Sequence, residues 1–133
     1  MLNHSHWQEY PMTLIRLILG KLILFFNWAF PPKSIMRNAE QKAIIDTQTT
    51  GLTLYQYRAC PFCVKVRRQM KRQSLNIGLR DVKRDLGAKV ELLGGGGNLK
   101  VPCLRIEDGE AEVQWLYESG KIIGYLEGRF LVR

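Results

Sequence analysis

Apolar and polar positions fall into three regimes along the chain. Leu14 to Phe30 is apolar at almost every position, broken only by Arg16, Gly20, Lys21 and Asn27, and Pro31-Pro32 ends the run. Such a pattern predicts a helix over 12–32 that has no broad water-facing side. Its seventeen positions from Leu14 to Phe30 would extend roughly 25 Å, a little short of a hydrocarbon core of about 30 Å. The expected arrangement is a single membrane span, with Arg16 and Lys21 reaching back to one interface and Trp28 at the other. The rival is a helix lying in the interface, because Arg16, Gly20 and Asn27 share one narrow face. Residues 1–11 form a polar tail. Residues 33–51 read as a polar linker rich in Thr and Gln, with at most a short helix near Asn38 to Asp46.

From Leu52 the period changes. Leu52-Thr53-Leu54-Tyr55 is a run of strand formers, and a helical pattern follows from Phe62 to Leu75. Ile77 to Val82 alternates as a second strand, parallel to the first through a right-handed crossover. A short helix is predicted over Ala88 to Leu93, where Gly94-Gly95-Gly96-Gly97 stops it. No Gly-Lys-Ser/Thr follows those glycines and they come after a helix instead of opening one, so they read as a flexible loop and not as a phosphate cradle. Val101 to Ile106 and Val113 to Tyr117 are a third and a fourth strand, with Asp108-Gly109 in the turn between them. Ser119 is the expected N-cap of a last helix, whose Ile122, Ile123 and Leu126 would cover the sheet. The order is βαβ, helix, ββα. It predicts an α/β domain over 52–133, with a four-stranded mixed sheet flanked by helices.

Charge narrows the function classes. The net charge is +8 over 133 residues, and from Leu52 onward fifteen Lys or Arg face nine Asp or Glu. Lys65, Arg67, Arg68, Lys71 and Arg72 spread around a helix without the aromatic interleaving of a single-strand binder, so no nucleic acid is expected. Small anionic thiols and anionic lipid headgroups suit the charge better. Three cysteines, one of them unpaired, exclude a secreted disulfide scaffold and fit a reducing compartment with one working pair. His4 and His6 have no third ligand in the sequence around them, and no metal is expected.

The working pair is in Tyr57-Arg58-Ala59-Cys60-Pro61-Phe62-Cys63. Pro61 suits the first turn of a helix, because its missing N–H would have had no partner there. Cys60 is thereby placed at a helix N-terminus, where free N–H groups and the helix dipole favour a thiolate, with Arg58, Lys65 and Arg67 adding positive charge. Cys63 follows one turn later, within reach of a mixed disulfide formed at Cys60. This is dithiol redox chemistry.

Cys60-Pro61-Phe62-Cys63 after the first strand, Val101-Pro102 before the third and Glu118-Ser119 before the last helix together resemble the glutaredoxins, of thioredoxin-like fold. They also resemble the N-terminal half of glutathione transferases. The resemblance covers Leu52 to Phe130. It implies Cys60 as nucleophile, Cys63 as resolving thiol and Pro102 in cis, with the backbone of Val101 pairing with the cysteinyl part of glutathione. It further implies Ser119 at the γ-glutamyl carboxylate, Glu118 near the amino group, and Tyr57 and Arg58 lining the approach. The chain departs from the family pattern at Tyr57, where many members carry lysine, and at Gly120, which is often aspartate. Cys103 reads as a small buried residue beside the active-site proline, and Trp115 and Tyr125 as packing residues.

The leading expectation is a glutathione-dependent thiol–disulfide oxidoreductase that reduces glutathione mixed disulfides and protein disulfides, with glutathione as co-substrate. It would be anchored to the membrane through 12–32, and Lys33, Arg37 and Lys42 after the span favour a cytoplasmic domain. The alternatives are a non-catalytic module that binds glutathione or an iron–sulfur cluster or recruits partners, and a glutathione-dependent transferase or isomerase. Pro61 and Phe62 count against the cluster, and the missing helical C-terminal domain counts against the transferase.

Overall fold

A computed structural model describes residues 12–109 and 112–130. The sequence expectations for His4, His6 and the rest of the polar tail lie outside these residues.

The domain is built on β1 (Leu52–Gln56), β2 (Gly78–Asp81), β3 (Cys103–Ile106) and β4 (Gln114–Tyr117), in the spatial order β2-β1-β3-β4. β1 and β2 are parallel, while β1 with β3 and β3 with β4 are antiparallel. Side chains alternate across a pleated strand, so the central strands β1 and β3 each feed two cores. Leu52, Leu54, Leu104 and Ile106 point to one face, where Val66 and Met70 of α3 (Pro61–Arg72) meet Ile122 and Leu126 of α5 (Ser119–Arg129). Tyr55 and Cys103 point to the other face, onto Ala88 of α4 (Leu86–Glu91) and onto Leu92. The thioredoxin-like α/β architecture expected from the sequence is therefore present.

Element ends differ from the sequence reading for local reasons. Helix α3 stops at Arg72 because Ser74 takes a left-handed φ of 54°, yet Leu75 still packs in the core, which is why the apolar period ran on. Ser119 is the first helical residue and not the cap. The cap is Glu118, with φ 73° and no side-chain capping bond.

The glycine run is no open loop. Leu92–Gly96 forms one π-helical turn, and Gly97 closes it with φ 84°. A Cβ on Gly95 would overlap the Trp115 ring, and one on Gly96 would overlap the Tyr117 hydroxyl. That hydroxyl donates to Asn98 O at 2.8 Å. The glycines let β4 aromatics approach the backbone, which a flexible-loop reading misses. Gly95→Ala is expected to lower stability by about 1–3 kcal/mol, because the ring it meets cannot move without disturbing the core. Gly94→Ala, which meets nothing, should leave the denaturant midpoint unchanged, and urea unfolding of the two variants checks this.

Residues 33–51, read as a linker, pack on the domain. Asn38 opens α2 (Ala39–Thr49) with a capping box: its side chain accepts from Gln41 N at 2.8 Å, and Gln41 Oε1 accepts from Asn38 N at 3.3 Å. Ile35 N donates to Arg72 O at 2.9 Å, Ser74 Oγ donates to Ile35 O at 2.6 Å, and Ile45 lies against the core.

Helix α1 (Met12–Ala29) is seated through a narrow seam. Gly20 is buried, Ile23, Leu24 and Asn27 are half-buried, and Leu14, Ile15, Leu17, Ile18, Leu19, Leu22, Phe25 and Phe26 are exposed. A Cβ on Gly20 would stand 3.0 Å from Ala59 Cβ. Arg68 Nη1 donates to Asn27 Oδ1 at 3.1 Å and to Phe30 O at 2.6 Å. The transmembrane expectation is corrected here: among the described residues no helix is long and apolar enough to cross a membrane. Arg16 and Lys21 interrupt the apolar run, and Gly20 and Asn27, which looked like a water-facing strip, are the contact with the domain.

Candidate thiol site

The pairing register gathers the site at one end of the sheet. Tyr55 pairs with Cys103, and Cys103 with Tyr117. The chain after β1, the chain before β3 and the chain after β4 therefore leave the sheet together, bringing Cys60, Val101-Pro102 and Glu118-Ser119 to the same edge. The Val101–Pro102 peptide is cis. Tyr57 and Val101 pack against the same small core beneath that edge.

Cys60 is the N-cap of α3, with Pro61 next to it, φ −73° and ψ 127°, and no side-chain capping bond. Its carbonyl accepts from Val64 N at 2.9 Å, and its N–H donates to Tyr57 O at 3.4 Å. Cys60 is half-exposed, whereas Cys63 is fully buried behind it. Tyr57 N–H donates to Cys63 Sγ at 3.4 Å. Burial pushes the Cys63 thiol up to about 12, the Tyr57 N–H opposes that, and the neighbouring Cys60 sulfur adds to it. One sulfur of the pair is accessible, and the other is held as a thiol at neutral pH.

Arg67 fixes the loop that carries this arrangement. Its guanidinium donates to Gln56 Oε1, to Tyr57 O at 3.3 Å and to Arg58 O at 2.6 Å, so it clamps the chain between β1 and Cys60. Burial lowers its pKa from the ordinary arginine value, and the two sulfurs pull the other way. The sequence marked Arg67 only as nearby positive charge. Its spacing of one α-helical turn beyond Cys63 was the available signal, since a residue there returns to the loop side of α3.

Not every expected residue converges. Arg58 lines a cleft of about 690 Å³ between α1 and the domain, together with Arg67 and Lys71. Glu118 is exposed and its carboxylate lies 3.6 Å from Lys121 Nζ, while Ser119 is half-buried at the helix start. Cys103 is buried, and burial pushes its thiol up to about 11, opposed by a hydrogen bond with Tyr117. Among the described residues no three His, Cys, Asp or Glu side chains cluster as a metal site.

The two buried thiols make stability sensitive to alkali. Both hold their protons more tightly in the folded chain than at the ordinary value of 9.0. Their contribution is thus complete below about pH 9 and is lost as pH rises toward 11 to 12. Urea midpoints should fall between about pH 8.5 and 10.5, and less steeply in Cys103→Ala.

A mixed four-stranded sheet with a Cys-Pro-Phe-Cys turn at a helix start and a cis proline on the adjoining loop defines a thioredoxin-like domain. Within it, residues 52–111 match the family model described as Glutaredoxin. Over those residues the chain is similar to the glutaredoxins. No solved structure gives a significant match to the chain.

Proposed function

We propose that this protein is a glutathione-dependent thiol–disulfide oxidoreductase that works through Cys60 and Cys63. One observation carries the reading: a half-exposed Cys60 at the start of α3, backed by a buried Cys63. The Cys60 thiolate attacks the glutathionyl sulfur of a mixed disulfide, and the substrate leaves as a thiolate that takes up a proton. The Cys60–glutathione disulfide is then opened by a second glutathione thiolate, which yields glutathione disulfide and restores Cys60. For a protein disulfide, Cys60 attacks one sulfur, and Cys63, once deprotonated, attacks Cys60 to release the second substrate thiol. The resulting Cys60–Cys63 disulfide is reduced by two glutathione molecules.

Glutathione would lie along Val101, with its γ-glutamyl carboxylate at the free N–H groups where α5 begins at Ser119. Glu118 faces the amino group, Tyr57 borders the cysteinyl sulfur, and Arg58 supplies positive charge on the approach. Three free cysteines suit a reducing compartment, and we place the domain in the cytoplasm.

Trapping tests this. Cys63→Ser treated with glutathione disulfide should hold one glutathione per chain, mapped by mass spectrometry to Cys60 and removed by reduced glutathione. An unmodified Cys60, or an adduct confined to Cys103, refutes the assignment.

A further inference from the structure

We infer that α1 docks this protein on the surface of an anionic phospholipid bilayer, lying along the interface instead of crossing it. The seam Gly20, Ile23, Leu24 and Asn27 uses one side of the helix. At 100° per residue the opposite side is centred on Ile18, Leu22 and Phe25, and Ile18 and Phe25 are 50 % and 56 % exposed. Trp28, 78 % exposed near the helix end, has the amphipathic ring that settles at headgroup level. An apolar ridge this long is well beyond the scattered exposed residues of an ordinary surface, and it needs a partner.

Charge says which partner. Residues 12–72 carry eleven Lys or Arg and only two Asp or Glu, while the chain after Arg72 carries nine of each. Essentially the whole positive excess therefore sits in the part that bears α1 and α3. The cleft between α1 and the domain has Arg58, Arg67 and Lys71 in its wall beside Leu24, Trp28 and Leu79, and no acidic residue lines it. A phosphate headgroup meets cations there while the ridge enters the acyl boundary. A second copy of the chain would bring the same positive surface against this one, and like charges oppose that pairing. Because Gly20 rests on Ala59, the residue before Cys60, docking also sets how far the nucleophile stands from the bilayer.

The test is co-sedimentation of the full chain with vesicles of phosphatidylcholine alone and of phosphatidylcholine mixed with phosphatidylglycerol. The protein should partition to the mixed vesicles only, and raised salt should release it. Ile18→Glu/Phe25→Glu changes only exposed positions. It should weaken partitioning about tenfold or more while leaving the urea midpoint unchanged. Cys60→Ser should bind as the parent does, so lipid binding and thiol chemistry fail independently. Equal binding to both vesicles, no binding to either, full binding by the double variant, or a solution dimer that Ile18→Glu/Phe25→Glu dissolves would each overturn the inference.

Discussion

Cys60→Ser is expected to bring turnover of a glutathionylated peptide down to the uncatalysed rate, a loss on the order of a thousandfold or more. Cys63→Ser should keep that turnover within about threefold, because a second glutathione can open the Cys60 mixed disulfide without it. Reduction of a protein disulfide by the two-thiol route should separate the variants the other way, since it needs both sulfurs. The asymmetry follows from burial. Cys63 is inaccessible and its thiol is pushed up to about 12, with burial the largest cause. That cause persists after Cys60 has entered a mixed disulfide, so the resolving step draws on a small thiolate fraction. The two-thiol rate should consequently climb between about pH 6 and 9, approaching tenfold per pH unit where resolution is limiting. The glutathione route draws on the thiolate of free glutathione, an ordinary thiol with a pKa of about 8.5, so its slope should flatten above about pH 8.5 while the two-thiol slope continues. Coupled assays of both substrates across this range, on the parent and both variants, would reveal a flat two-thiol profile if the assigned order of attack is wrong.

What the sequence made legible is what short-range physics dictates. The run of strand formers from Leu52 to Tyr55 placed β1 because that strand is buried on both faces by different helices, so Leu54 and Tyr55 are both core residues. Cys60-Pro61 marked the start of α3 because proline's missing donor fits only a first turn. The unread parts depend on partners far away along the chain. Gly95 makes sense only once Trp115 is known to lie across it, and Gly20 only once Ala59 does. The segment 33–51 looked like a linker because scattered single residues dock it, Ile35 through its main chain, Arg37 through its guanidinium on Gln73 O and Ile45 through its side chain, and such contacts leave no periodicity to read. Apolar content alone suggested a span for α1. Two of its interruptions, Gly20 and Asn27, turned out to be its contact with the domain.

Arg67→Met should be the most damaging change outside the cysteines, because it keeps the aliphatic stem and removes every donor of the clamp. Gln56, itself buried, loses the guanidinium, as do the carbonyls of Tyr57 and Arg58. Leaving partly buried acceptors unsatisfied is expected to lower stability by about 2–4 kcal/mol. Catalysis should suffer as well, by about tenfold to a hundredfold, because the clamped loop presents Cys60 and carries the Tyr57 N–H that holds Cys63. Arg67→Lys should recover little, since one ammonium cannot reach three acceptors as a planar fork does. A purely structural role would end there. Arg67 also has an electrostatic one, because its positive charge lowers the Cys63 pKa against burial. Its loss should therefore move the pH profile of the two-thiol route toward alkali at temperatures where Arg67→Met is fully folded. An unshifted profile would leave Arg67 as a brace for the loop and nothing more.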